Sequence, residues 1–191
     1  MDIGNIVVIG GGTGLSTMLR GLRLHTNKVT AIVTVGDDGG SSGVIRKDYK
    51  MPPPGDVRNC VSALTNLTQD FRDILDYRFT QGTFKGHSIG NIILAAINET
   101  SDTFEEAVQK YCKIVGVSGK VLPVTSESLV LHAKLRSGKT VDGETNISRY
   151  RANDGIEKLF ITPENAEASA SVIDSILGAD IIVMGPGSLY T

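Results

Sequence analysis

Residues 6–9 form a β-branched apolar run with no polar alternation, the pattern of a strand buried on both faces of a parallel sheet. A glycine-rich turn follows, and Leu15, Met18, Leu19 and Leu22 then recur at helical spacing. Residues 29–35 are again β-branched and apolar, so the chain opens with a βαβ unit. Residues 36–56 show little periodicity and contain Pro52, Pro53 and Pro54; they are expected to be one long loop, which in a compact domain is more often functional than idle. Val57, Cys60, Val61, Leu64 and Leu67 share one helical stripe, and "FRDILDYRF" predicts a second short helix. A further helix is expected from about Ser88 to Ile97, buried because it is apolar all round. Asp102 with Glu105 resembles a capping box that starts a helix ending near Gly116.

From Lys120 the texture changes to the short strands "KVLPVT", "LVLHAKL" and "TVDGETNI", expected to form an antiparallel or edge insertion over residues 120–150. "IEKLFIT" gives another strand, Pro163 is expected to start a helix over 164–177, and "DIIVMGPGS" holds a last buried strand. These elements predict one α/β domain over residues 1–191, a mainly parallel sheet flanked by helices. Because "GPGSLYT" stops where a helix should follow, the chain is expected to be the N-terminal part of a longer one.

Composition narrows the partners. With 19 basic and 21 acidic residues the net charge is -2, which gives no global attraction to nucleic acid or an anionic membrane, so any anion site must be local. The N-terminus carries an acid where a secretory signal carries bases, and no apolar run reaches the ~20 residues of a membrane span. Cys60 and Cys112 read as buried free thiols, and the expected location is cytoplasmic. A homo-oligomer is left open.

The chemistry is expected at the carboxyl edge of the sheet. Gly10, Gly11, Gly12, Thr13 and Gly14 join a strand to a helix start, where free N–H groups and the helix dipole favour a phosphate; a tight turn explains one or two glycines more easily than four. The loop is neither a dinucleotide fingerprint, since Leu15 stands at its third glycine, nor a Walker loop, since it lacks the lysine. Asp37 and Asp38 end the second strand in "TVGDDGGSSG". They are candidates for catalysis, for a magnesium site or for holding a ribose, with an Asx turn as the plain alternative. Ser41 and Ser42 follow them as candidate ligand contacts. In "PPPGDVRNC", Arg58 and Asn59 could meet a phosphate, and Asp56 is equally well an N-cap. "GHSIGN" places Ser88 and Asn91 at a buried helix start, with His87 read as a turn residue; a buried Asn91 amide needs partners. Gly185, Gly187 and Ser188 make a third small-residue loop at the same edge. His25 and His132 lack acidic or thiol neighbours at ligand spacing, which argues against zinc.

Taken together, "VVIGGGTGLSTMLRGL", "VTVGDDGGSSGVIR", "PPPGDVRNC", "GHSIGNIILAA", "VLPVT" and "ADIIVMGPGSLYT" resemble the gluconeogenesis factor YvcK family, relatives of the 2-phospho-lactate transferase CofD. The resemblance implies a Rossmann-like fold and binding of UDP-sugars such as UDP-N-acetylglucosamine. It also implies a role in growth on gluconeogenic carbon sources and in cell shape, with no assigned reaction. The CofD branch instead implies magnesium-dependent transfer from a nucleotide-activated phospholactate, with acids at the end of the second strand, where Asp37 and Asp38 stand. The stretch "GGSSGVIRKDYKMPPPGDVRN" departs from that branch and favours the first.

Overall fold

A computed structural model describes residues 3–150 and 154–186. Four parallel strands form the main sheet: β1 (Ile6–Gly10), β2 (Val29–Val33), β3 (Lys120–Pro123) and β7 (Ile181–Met184), in the order β3-β2-β1-β7. The β-branched run makes both faces apolar. Ile6 and Val8 enter the larger core with Ala31, Val33 and Val121, whereas Val7 joins Ile32 and Leu122 on the opposite face. Helices α1 (Gly12–Leu22), α3 (Gly55–Leu64), α5 (Ile89–Asn98) and α6 (Phe104–Ile114) bury Leu15, Leu19, Val61, Leu64, Leu94 and Tyr111 against the first face. Helix α8 (Ala170–Leu177) covers the second through Val172 and Ile176. The expected α/β architecture is therefore the one found.

Three expectations change. Residues 36–56 are not one loop: α2 (Gly40–Tyr49) lies inside them, although its first turn is Gly-Ser-Ser-Gly. Tertiary packing overrides propensity here, because Ser41, Ser42, Gly43 and Ile45 are all buried, and a Cβ on Gly43 would fall 2.1 Å from the Asp38 carbonyl oxygen. The strand-rich stretch also divides differently. "KVLP" is β3, an edge strand of the main sheet, while the antiparallel insertion is β4 (Val130–Leu135), β5 (Thr140–Asp142) and β6 (Ile156–Thr162), ordered β5-β4-β6. Its core is Ala133, Leu135, Val141 and Ile147, the last from α7 (Glu144–Tyr150), which occupies much of the predicted "TVDGETNI" strand. Two helix starts shift as well. The N-cap of α6 is Thr103, whose Oγ1 accepts from the Glu106 N–H, while Glu106 accepts from the Asp102 N–H. Pro163 precedes a non-helical segment, and α8 begins only after Ser169.

Helix α4 (Gln69–Asp76) lies where "FRDILDYRF" predicts it. Among the described residues no helix is long and apolar enough to cross a membrane.

Candidate functional site

Strands β2 and β7 flank β1, and the chain reaches them in opposite directions, so the carboxyl end of β1 is a topological switch point, where open α/β sheets bind ligands. The loops after β1 and β7 touch there. The Gly185 N–H donates to the Ile9 carbonyl at 2.8 Å, and a Cβ on Gly14 would lie 2.9 Å from Pro186 Cβ. Gly187 and Ser188 lie outside the described residues.

Close packing accounts for more of the glycine run than its sequence suggests. A Cβ on Gly11 would fall 2.1 Å from Thr34 Oγ1, and Gly12 has φ +66°. Gly10, Gly12 and Gly14 remain partly accessible and Thr13 is exposed. The Gly12 N–H is already engaged by the carboxyl group of Asp56.

Asp56 is not the cap of α3; Pro54 holds that position and Asp56 sits in the first turn, reaching back to the glycine loop. Burial and the neighbouring Asp37 charge push its pKa up to about 6. Sequence reasoning undervalued this residue because D-V-R-N after prolines looks like a simple helix start.

The two acids of "TVGDDGGSSG" part company. Asp37 Oδ1 accepts the Gly39 N–H at 2.8 Å, an Asx turn, while its other oxygen faces Gly55, where a Cβ would lie 3.2 Å away. Asp38 turns to the insertion: Oδ1 accepts from Thr145 N–H at 3.0 Å and from Thr145 Oγ1 at 2.8 Å. The pair therefore does not converge on one ion, and no group of three or more His, Cys, Asp or Glu among the described residues could hold a metal. The acid that does approach Asp37 is Asp56.

Asp37, Ser41, Ser42, Arg58, Asn59 and Asn91, all singled out in the sequence, line one cavity of about 270 Å³. Gly39, Gly40, Gly55, Asp56 and Arg78 complete its wall. The cavity is small because two helix starts crowd around it, α2 at Gly39–Ser41 and α3 at Gly55, and Asn91 reaches it from the first turn of α5. Gly55 is needed for that approach, since its Cβ would fall 2.3 Å from Ser42 Oγ. Helix starts carry free N–H groups and partial positive charge, so their convergence makes a site for an anion without any excess of basic residues.

Behind the cavity runs a polar chain. Arg58, buried, forms an ion pair with Asp76, which also accepts from Ser62 Oγ at 3.2 Å. Arg58 Nε donates to Asn91 Oδ1 at 3.4 Å, Asn91 Nδ2 donates to Ser41 Oγ at 3.1 Å, and Ser41 Oγ lies 3.0 Å from His87 Nδ1. Ser88 caps α5, accepting from the Asn91 N–H at 3.3 Å. His87, read from sequence as a turn residue, thus contacts a cavity residue. Arg78 carried no sequence signal; the isolated bridge Arg78↔Ser88 brings it there.

Of the larger cavities, two bear on the site's surroundings. One of about 530 Å³, lined by Asp38, Arg46, Lys47, Lys50 and Asn146, separates α2 from the insertion. The other, about 680 Å³, lies by Asn5, Lys28 and Lys120 at the amino ends of the strands, away from the loops just described. His132, given no acidic neighbour by the sequence, stands opposite Asp142 across β4 and β5, its Nδ1 2.7 Å from the carboxylate.

Residues 6–191 match the family model described as 2-phospho-L-lactate transferase CofD. The chain is 53% identical over 188 residues to a putative gluconeogenesis factor of Thermoanaerobacterium thermosulfurigenes, covering 97% of this chain and 58% of that one. It is 47% identical over 187 residues to the gluconeogenesis factor of Bacillus subtilis, again with 97% and 58% covered. A crystal structure of a Bacillus halodurans protein superposes with a TM-score of 0.93 at 43% identity, over 98% of this chain and 60% of that one. The chain thus spans about three-fifths of the length of these relatives.

Proposed function

Given that the chain belongs to the CofD family and shares about half its residues with gluconeogenesis factors, we propose that it binds a nucleotide sugar of the UDP-N-acetylglucosamine type. It would do so as part of a cytoplasmic regulatory factor for growth on gluconeogenic carbon sources and for cell shape. The observation that carries this reading is the meeting of the starts of α2 and α3 with Asp37, Ser41, Arg58, Asn59 and Asn91 around one cavity. Its size suits a phosphate or a single sugar, so the rest of the ligand would extend along the Gly10–Gly14 and Gly185 loops, or into the larger space bordered by Arg46 and Lys47.

One feature favours a second reading, a magnesium-dependent transferase. Asp37 and Asp56 are brought together at the carboxyl end of the sheet, where burial first and the Asp37 charge second raise the pKa of Asp56. Magnesium commonly uses one or two carboxylates and completes its shell with water and substrate phosphates, so this donor set fits it better than Asp37 with Asp38. Asp37 and Asp56 would hold the ion, which when bound would neutralise charge on the phosphates.

Calorimetric titration of the full-length protein with UDP-N-acetylglucosamine, in magnesium and in EDTA, tests both. Saturable binding with no turnover supports the regulatory reading. Magnesium-dependent product formation from a nucleotide-activated phospholactate supports the transferase. Failure to bind the nucleotide sugar under either condition overturns the first.

A further inference from the structure

The hydrogen bonds behind the cavity have a forced polarity. Arg58 can only donate, so the Asn91 oxygen must face it and the Asn91 NH2 must face Ser41. Ser41 Oγ therefore accepts from Asn91, and its own proton is free to point at the lone pair of His87 Nδ1, 3.0 Å away. In that arrangement His87 carries its proton on Nε2. The asparagine that polarises the oxygen is itself held by a buried guanidinium paired with Asp76, and both Asn91 and Arg58 are over nine-tenths buried. Ser41, Asn91 and Arg58 of this chain line the cavity, while His87 stands behind Ser41.

We propose that Ser41 is a nucleophile activated by His87, with Asn91 as its positioning residue, and that its electrophile is the phosphorus of a phosphoanhydride or phosphate ester. Arg78, Arg58 and the starts of α2 and α3 line the cavity and would hold the phosphoryl oxygens, with the carboxyl groups of Asp37 and Asp56 on the same wall. In the first step Oγ bonds to phosphorus as its proton moves to His87 Nδ1, and the bond from phosphorus to the leaving oxygen breaks, that oxygen departing as an anion or taking a proton from water. In the second, water or an acceptor hydroxyl attacks the phosphoserine and the phosphorus–Oγ bond breaks. His87 returns the proton it holds to Oγ, and the attacking group's proton passes to water. This activity is separate from nucleotide-sugar binding, though both use the same cavity.

Reaction of the full-length protein with diisopropyl fluorophosphate tests the proposal without any nucleotide. Oγ displaces fluoride from phosphorus, and peptide mass spectrometry locates the adduct. Ser41 is expected to be the labelled residue, with His87→Ala slowing the reaction about a hundredfold, within the usual range for a general base. Added imidazole should restore much of the rate, which a merely structural histidine would not allow. Circular dichroism of His87→Ala checks that it is folded; if it is not, mapping on the wild-type protein still decides. Absence of a Ser41 adduct in the folded wild-type protein overturns the proposal. So does an equal rate in folded His87→Ala.

Discussion

Replacing Asp56 by Asn tests the electrostatics of the site directly. Its pKa rises from 3.8 to about 6 on folding because the carboxylate is desolvated and faces Asp37. A carboxyl group that holds its proton more tightly in the folded than in the unfolded chain adds stability below its unfolded value, and that stability is lost as pH rises through about 6. That rise corresponds to about 3 kcal/mol, so ionised Asp56 weakens the fold by up to that amount at pH 8. Asn keeps an oxygen for the Gly12 N–H and removes the charge, though a neutral acceptor is the weaker partner. The expected net gain for Asp56→Asn is therefore about 1–3 kcal/mol at pH 8, shrinking towards zero near pH 4. Urea unfolding in EDTA, followed by circular dichroism at several pH values between these limits, measures it. A gain independent of pH, or a loss at pH 8, would refute the assignment of the raised pKa to burial beside Asp37.

Two further substitutions probe the frame of the cavity. Gly43→Ala must force its Cβ away from the Asp38 carbonyl, where both partners are backbone atoms, so α2 is expected to lose at least 1–3 kcal/mol, read as a lower urea midpoint. Asp38→Ala removes the two bonds to Thr145 that tie the second strand's loop to the insertion; the half-exposed site limits the cost to about 1 kcal/mol. Hydrogen exchange should rise at residues 140–147 and stay unchanged in β1.

The parallel sheet was legible because Ile6–Gly10, Val29–Val33 and Ile181–Met184 are short apolar runs followed by glycine loops, although the last, expected to be buried, is an edge strand with Ile181, Ile182 and Met184 exposed. Helix α2 was not, since a Gly-Ser-Ser-Gly start has no helical preference and forms only because Gly43 and Gly55 let other backbone and side-chain atoms come close. The cavity was legible in most of its residues, yet their grouping was wrong in one respect. Adjacent residues such as Asp37 and Asp38 can point to opposite sides of a loop, whereas Asp56, distant in sequence, returns to the glycine loop through a helix start. His87 shows the same limit: a single histidine before a cap carries no mark of a serine packed against it from another helix.

The clamp between Asn5 N–H and Asp180, at 2.7 Å, joins residues 175 apart, while β1 meets β2 after only a short helix. Closing the longer loop costs roughly 2 kcal/mol more in chain entropy, so β7 is the late partner as the polypeptide leaves the ribosome. Until it arrives, β1 offers an uncharged edge of open N–H and C=O groups to any neighbouring chain, a period of vulnerability to misassembly. The same strand covers the edge of β1 and brings Gly185 and Pro186 to the site, so completion of the sheet around β1 and competence to bind are acquired in one event.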